Sequence, residues 1–293
     1  MPSRAHKHST ETVRVGAVQM ISRNGDTPAN IVKAMAFCDR AAKRGVQILC
    51  LPELASTGFD WLKNDRMARR LHSEPVPGPM VTQFEQKAAE TDMYIIMGVV
   101  ERSRRSRKRF NTAFIVGPTE GYIGKYRKIF AERMFEPGTD VPVFETRHAR
   151  VGIYICADKR CPEISRLLNF RGASILFQPT NYYCRKKGTT QPEARRTYEG
   201  KVAAQRSRSM ENALPLVVAN AGRKEYVNNS CILAPTSQGP QRFLGRATRK
   251  EQLLVADVEI QRNRSFPASY VRRVGWLYEE LAVEARKVRR AMA

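Results

Sequence analysis

The stretch VRVGAVQMISRNGDTPANIVKAMAFCDRAAKRGVQILCLPE, residues 13–53, reads as strand, helix, strand. Val13–Met20 alternates apolar and polar side chains, the pattern of a half-buried strand. Asp26-Thr27-Pro28 opens a helix, with Thr27 expected as its cap and Pro28 at the first helical position. Ile31, Ala34, Met35, Cys38 and Ala42 follow at helical spacing, and Gly45 ends the run. Val46–Leu51 is apolar almost throughout, which is how a strand covered on both faces reads. A half-buried strand, an amphipathic helix and a buried strand in succession require a layered α/β fold. The run also delivers Pro52-Glu53 to the exit of its second strand.

The rest of the chain repeats this alternation. Pro77-Gly78-Pro79 precedes a helix over Val81–Thr91, then three strands over Tyr94–Glu101, Phe110–Val116 and Tyr122–Ile129. Their short connections, Arg102–Arg109 and the Gly117-Pro118/Gly121 turn, imply antiparallel hairpins. A strand at Val151–Ala157, a helix at Pro162–Phe170 and a strand at Ala173–Gln178 follow. A basic irregular stretch, Thr180–Arg196, leads to a helix near Tyr198–Asn212. Strands at Pro215–Asn220, Ser230–Ala234 and Leu253–Asp257 and a basic helix over Val271–Ala293 end the chain. The pattern predicts an α/β sandwich of mixed sheets rather than a purely parallel doubly wound sheet. It divides into a flexible lead at 1–12, one domain at 13–262, and a helical extension at 263–293.

Composition bounds the function. The chain has 293 residues, 42% hydrophobic, with 51 Lys+Arg against 28 Asp+Glu, a formal net charge of +23. That apolar content excludes a disordered basic tail protein. No run of about 18 apolar residues is present, so no membrane helix is expected. MPSRAHKHST lacks the apolar core of a secretory signal, and a cytoplasmic location is expected. The six cysteines do not read as a disulfide framework. Cys156 and Cys161 have no matching second pair, and the four histidines show no ligand spacing, so no metal and no cofactor are expected.

Three residues lie where loops leave predicted strands, the usual location of α/β active sites. They are Glu53 in LPELASTGF, Lys128 in GKYRKIF and Cys156 in GIYICADKRCPE. Their chemistry is complementary. A thiol needs a base to become a nucleophile, a carboxylate can take its proton, and an ammonium or a backbone N–H such as that of Ala157 can hold an oxyanion. Taken singly, each has a plainer reading, as a cap or ion-pair partner, a solvated lysine, or a core cysteine.

In their order and spacing, LPEL, GKYRKIF and ICADKRCPE resemble the signature of the carbon–nitrogen hydrolase family, also called the nitrilase superfamily. RFNTAFIV around Asn111, RSMENALPLVVANAGR and NNSCILAPTSQG look like further family segments, and the resemblance runs from about Val13 to about Asp257. It implies an αββα sandwich of two mixed sheets flanked by helices. It implies Glu53 as general base, Lys128 as oxyanion stabiliser and Cys156 as nucleophile. It also implies a second glutamate after the lysine, for which Glu132 is the better match and Glu136 the alternative. Homo-oligomers are implied too, with Tyr270–Met292 expected as the subunit arm.

Ala-Asp after Cys156 is similar to the amidase and N-carbamoyl amino acid hydrolase branch, whereas nitrilases typically carry Trp-Glu. In that branch, basic residues after the cysteine bind the substrate carboxylate. This implies Lys159 and Arg160, with Arg160 favoured for its bidentate geometry. The alternative for Arg160 is a scaffold ion pair with Asp158 or Glu163. Asn181 and Tyr182 are expected to line the pocket, and the divergent segment Lys186–Arg196 to shape substrate choice. The expectation is a thiol hydrolase of a small amide or N-carbamoyl compound. An N-acyltransferase, a nitrile hydrolase and a basic nucleic-acid-binding protein are the alternatives. For the last, the Arg102–Arg109 run lacks the interleaved aromatics of a base-stacking surface, and a solvated loop is favoured.

Overall fold

The fold is described from a computed structural model, over residues 10–59, 62, 69–70, 72–182, 190–222, 230–236, 241–248, 250–261 and 268–292. The opening stretch forms β1 (Thr10–Gln19), α1 (Thr27–Ala42) and β2 (Ile48–Cys50). Strand β1 begins inside the expected lead, because Thr10–Thr12 pair with the far end of the last strand. Asp26, not Thr27, caps α1: its carboxylate accepts the Ala29 N–H, so Thr27 takes the first helical position and Pro28, expected there, takes the second.

There follow α2 (Pro79–Thr91), β3 (Tyr94–Arg102), β4 (Arg109–Gly117) and β5 (Gly121–Arg127). Next come β6 (Val143–Glu145), β7 (Arg150–Ile153), α3 (Pro162–Phe170) and β8 (Ile175–Thr180). The chain continues with α4 (Gln191–Asn212), β9 (Leu216–Asn220), β10 (Cys231–Ala234), β11 (Arg242–Arg246), β12 (Gln252–Gln261) and α5 (Ala268–Ala291). Helix α4 starts earlier than expected, because Thr190 and Glu193 form a reciprocal capping box. Strands β6 and β11 were not anticipated. Both are short edge strands, where the hydrophobic signal is weakest.

The strands make two six-stranded sheets, ordered β12-β1-β2-β3-β4-β5 and β11-β10-β9-β8-β7-β6. Each has a parallel centre, β1-β2-β3 in one and β7-β8-β9 in the other, flanked by antiparallel strands. Alternation along the strands of the first sheet builds the layers. Val15, Ile48, Cys50, Tyr94, Ile96, Ala113 and Ile115 enter the core shared with the second sheet. Their neighbours Leu49, Leu51, Ile95, Met97, Phe114 and Val116 pack with Ile31, Phe37, Val81 and Phe84 of α1 and α2. Helix α5 meets α3 through an edge-on Phe170–Tyr278 contact, with the Arg166 guanidinium over Tyr270. The result is the αββα sandwich, with the mixed sheets that the strand pattern predicted.

A parallel bridge between Met20 and Ala221 joins the ends of β1 and β9. The parallel centres of both sheets therefore end on the same side of the molecule. Among the described residues, no helix is long and apolar enough to cross a membrane.

Candidate active site

Glu53, Lys128 and Cys156 converge at that end. Glu53 follows β2 in a tight turn whose next residue, Leu54, has a left-handed φ of 49°. Gly98 of β3 makes room for this turn. A Cβ there would lie 2.5 Å from the Pro52 carbonyl oxygen, 2.7 Å from the Leu54 nitrogen and 2.9 Å from the Glu53 Cα. Backbone this close admits only glycine. Lys128 follows β5, and its N–H donates to the Asn111 carbonyl of β4 at 2.8 Å.

Cys156 does not end a strand as expected. Strand β7 stops at Ile153, and Cys156 opens a single 3-10 turn, Cys156–Arg160, with a left-handed φ of 45°. Such strain in a non-glycine residue persists only where its surroundings hold it. Here Gln178 Nε2 (3.0 Å) and Lys159 Nζ (3.3 Å) both donate to the Cys156 carbonyl. Asp158 ties down the rest of the turn, accepting from Tyr126 Oη (2.8 Å), the Ile155 N–H (2.9 Å) and the Phe130 N–H (2.6 Å). Ala157, whose N–H is the expected oxyanion donor, is the half-buried second residue of the turn.

Lys128 Nζ donates to Glu53 Oε1 and to Glu132 Oε1, both at 2.7 Å. Glu53 also accepts from Asn111 Nδ2 on Oε1 (2.7 Å) and from the Asn181 N–H on Oε2 (2.8 Å). Glu136 lies elsewhere, in an exposed pair with Lys108 at 3.2 Å. Of the two glutamates considered, Glu132 is the one at the lysine. Burial alone would lower the Lys128 ammonium, but Glu53, Cys156 and Glu132 outweigh it and hold the group above the ordinary lysine range. The Cys156 thiol moves up. Burial is the main cause and Glu53 adds to it, while Lys128, Lys159 and Thr180 pull against them. The resting site therefore holds a protonated thiol in the field of a fixed cation and a carboxylate, the groups an acyl transfer to sulfur needs.

The model of the carbon–nitrogen hydrolase family matches residues 14–268. The chain belongs to the carbon–nitrogen hydrolase family. A nitrilase from Pyrococcus abyssi is 30% identical over 258 residues, covering 85% of this chain and 90% of that protein. An omega-amidase from Xenopus tropicalis is 28% identical over 250 residues, covering 79% and 83%. The crystal structure of a variant amidase from Nesterenkonia, with acrylamide added at its active-site cysteine, superposes with a TM-score of 0.70 at 20% identity. It covers 92% of this chain and 99% of that one.

In this carbon–nitrogen hydrolase the other expected site residues separate. Lys159 is buried at 8% exposure, with its ammonium 4.6 Å from the centre of the Tyr182 ring. Arg160, the favoured carboxylate ligand, is exposed, its guanidinium 5.9 Å from the Phe130 ring. Its proposed partner Asp158 is committed to Tyr126 and two backbone amides. Asn181 and Tyr182 are buried beside β9, where Asn220 Oδ1 accepts the Tyr182 N–H at 3.1 Å. Of Lys186–Arg196, residues 186–189 lie outside the described residues, and the rest belongs to the first turns of α4.

Sequence reading gave no role to three groups that shape the site. Asn111 clamps Glu53, Gln178 holds the Cys156 turn, and Gly98 admits the Glu53 turn. Asn111 was visible within the RFNTAFIV segment. Gln178 and Gly98 carried no local signal, because their partners are distant in sequence.

Proposed function

We propose that the protein hydrolyses a small linear amide or N-carbamoyl compound through a cysteine thioester. The observation that carries this reading is the buried Lys128 ammonium, held between Glu53 and Glu132 and within electrostatic reach of Cys156. Glu53 takes the thiol proton as Cys156 Sγ bonds to the substrate carbonyl carbon. The carbonyl oxygen becomes an oxyanion opposite Lys128 and the Ala157 N–H. Collapse of this adduct breaks the C–N bond, and Glu53 returns the proton to the leaving ammonia. Glu53 then deprotonates a water that attacks the thioester, releasing the acid and restoring the thiol. Glu132 keeps the lysine charged and oriented. No step calls for a metal or an organic cofactor.

Ala-Asp after Cys156 favours amides over nitriles, and the relatives include an omega-amidase beside the nitrilase. A panel of amides, nitriles and N-carbamoyl amino acids, scored for ammonia release, tests the reading. We expect amide or carbamoyl turnover, lost in Cys156→Ala by more than about a thousandfold with the circular dichroism spectrum unchanged. Preference for nitriles would overturn the branch, and full activity in Cys156→Ala would overturn the mechanism. Transfer of the acyl group to an added amine in place of water would identify an N-acyltransferase.

The same reading takes the protein as a homo-oligomer that pairs through α5. Trp276 (62% exposed) and Leu281 (52%) lie bare on that helix, and a second copy of the same helix offers a matching apolar surface. A monomer by light scattering at micromolar concentration would refute it.

A further inference from the structure

The Ala157 N–H that faces the oxyanion belongs to the same peptide unit as the Cys156 carbonyl. In a trans peptide these two groups point in opposite directions. Donors to the carbonyl therefore stand behind the peptide, on the side away from the oxyanion. Two are held there: Gln178 Nε2 at 3.0 Å and the Lys159 ammonium at 3.3 Å. Both are anchored. Gln178 of β8 has no exposed surface, and its side-chain carbonyl accepts from Gln205 Nε2 of α4 at 3.0 Å. Gln205 is equally buried and also donates to Tyr182 Oη at 2.8 Å. The Lys159 ammonium lies 4.6 Å from the centre of the ring of that same Tyr182. A chain of buried hydrogen bonds thus runs from α4 through β8 to the nucleophile's own peptide, where the left-handed φ of Cys156 needs such support. A donor on a peptide carbonyl also draws electron density from the amide nitrogen. The N–H then donates more strongly, more so in a dry interior and more so when the donor is a cation.

We propose that Gln178 and Lys159 are positioning residues for acyl transfer: they orient and polarise the Cys156–Ala157 peptide so that the Ala157 N–H binds the oxyanion more strongly, and Gln205 holds Gln178 in place. This rests on the cysteine acyl-transfer reading and extends it to residues behind the reacting face. It gives Lys159 a part in the chemical step that does not depend on any charge of the substrate. Gln178 and Gln205 lie outside every segment that resembles the family.

Two reagents that meet the same thiol separate this role from mere placement of the sulfur. Iodoacetamide alkylates Cys156 by displacing iodide, and no oxyanion forms. p-Nitrophenyl acetate acylates it through a tetrahedral oxyanion and releases p-nitrophenolate. The ratio of the ester rate to the alkylation rate, each corrected for the Cys156→Ala background, cancels the thiolate fraction, which Lys159 also influences. Loss of a whole oxyanion donor costs about a hundredfold to a thousandfold. Weakening one should lower the ratio at least about tenfold in Gln178→Met and in Lys159→Met. Lys159→Arg should restore most of it. Gln205→Met, one step removed from the strained turn, should lower it in the same direction by less, and it carries the test if Gln178→Met does not fold. The peptide can also be read directly. Cys156-Ala157 is the only Cys-Ala pair in the chain, so carbonyl-13C cysteine with 15N alanine isolates the Ala157 amide by NMR, and its proton should move upfield in Gln178→Met. Both readouts need no amide turnover, so an enzyme that acylates with the ester but hydrolyses no amide would refute the amide reading alone. A ratio unmoved in these variants, including one in which both rates fall together, or an Ala157 proton that does not move upfield, overturns the proposal.

Discussion

Lys128 Nζ lies 2.7 Å from Glu53 Oε1, and neither side chain has any exposed surface. An ion pair removed this fully from water repays its desolvation only when its remaining hydrogen-bonding capacity is filled. Here most of it is: Asn111 and the Asn181 N–H donate to Glu53, and Glu132 accepts a second hydrogen bond from Lys128. Breaking the pair should therefore have two separable consequences. Glu53→Gln removes the base, and kcat should fall by about a hundredfold to ten-thousandfold. It also leaves the buried lysine with Glu132 alone, and stability should fall by up to about 3 kcal/mol. Denaturant titration beside single-turnover kinetics would resolve the two. A Glu53→Gln enzyme with wild-type kcat would remove Glu53 from the reaction.

The thiol should behave as a neutral group at rest. Burial and Glu53 push Cys156 upward more than Lys128, Lys159 and Thr180 pull it down. Iodoacetamide inactivation should therefore speed up with pH to a midpoint above the ordinary thiol value of about 8.5. In Glu53→Gln one of the raising influences is gone, and the midpoint should move down. Inactivation already at its plateau near pH 6 would instead indicate a standing thiolate–lysine pair.

Gly98 should be intolerant of even one methyl group. The atoms that would meet its Cβ are backbone on both sides of Glu53, so they cannot rotate away. Gly98→Ala should cost about 1–3 kcal/mol from overpacking and lower kcat/KM at least about tenfold by displacing the base. An alanine enzyme with unchanged melting temperature and kinetics would show that the Glu53 turn adapts freely.

The acid limb of stability should depend on Glu101. Burial acts to raise this carboxyl, but hydrogen bonds from Arg127, Lys125 and Thr112 outweigh it and hold the group below its ordinary value. The folded state thus binds this proton more weakly than the unfolded chain. The contribution is present above the unfolded carboxylate value of about 4.3 and is lost as pH falls through the lower folded value. Wild-type Tm should drop through that window. Glu101→Gln should lower Tm at neutral pH and flatten the drop. An acid limb of unchanged steepness in Glu101→Gln would assign it to other carboxylates.

The basic charge has a smaller meaning than its size suggests. Within the Arg102–Arg109 run, residues 104–108 are the exposed turn of the β3–β4 hairpin, as expected for a solvated loop, while Arg109 is half-buried and donates to the Arg69 carbonyl. The informative cations are few and internal: Lys128 between two glutamates, and Lys159 against Tyr182.

By itself the sequence determined the alternation of strands and helices, the mixed sheets and the exits of the strands before Glu53 and Lys128, while the αββα layer order and the grouping of Glu53, Lys128 and Cys156 came from the family resemblance. The first three are written in local signals. Alternation along β1, helical spacing in α1, continuous apolarity before Pro52 and short motifs at strand exits all act over a few residues. The tertiary structure decided what depends on residues far apart in the chain. It chose Glu132 over Glu136 because one loop turns back over Lys128. It buried Lys159 against the Tyr182 ring and left Arg160 exposed at the end of the five-residue 3-10 turn Cys156–Arg160. It brought Asn111, Gln178 and Gly98 to the site, and Gln205 to Gln178, through packing between separate strands and helices. Periodicity reports which side chains face inward, and only the packed sandwich fixes which of them meet.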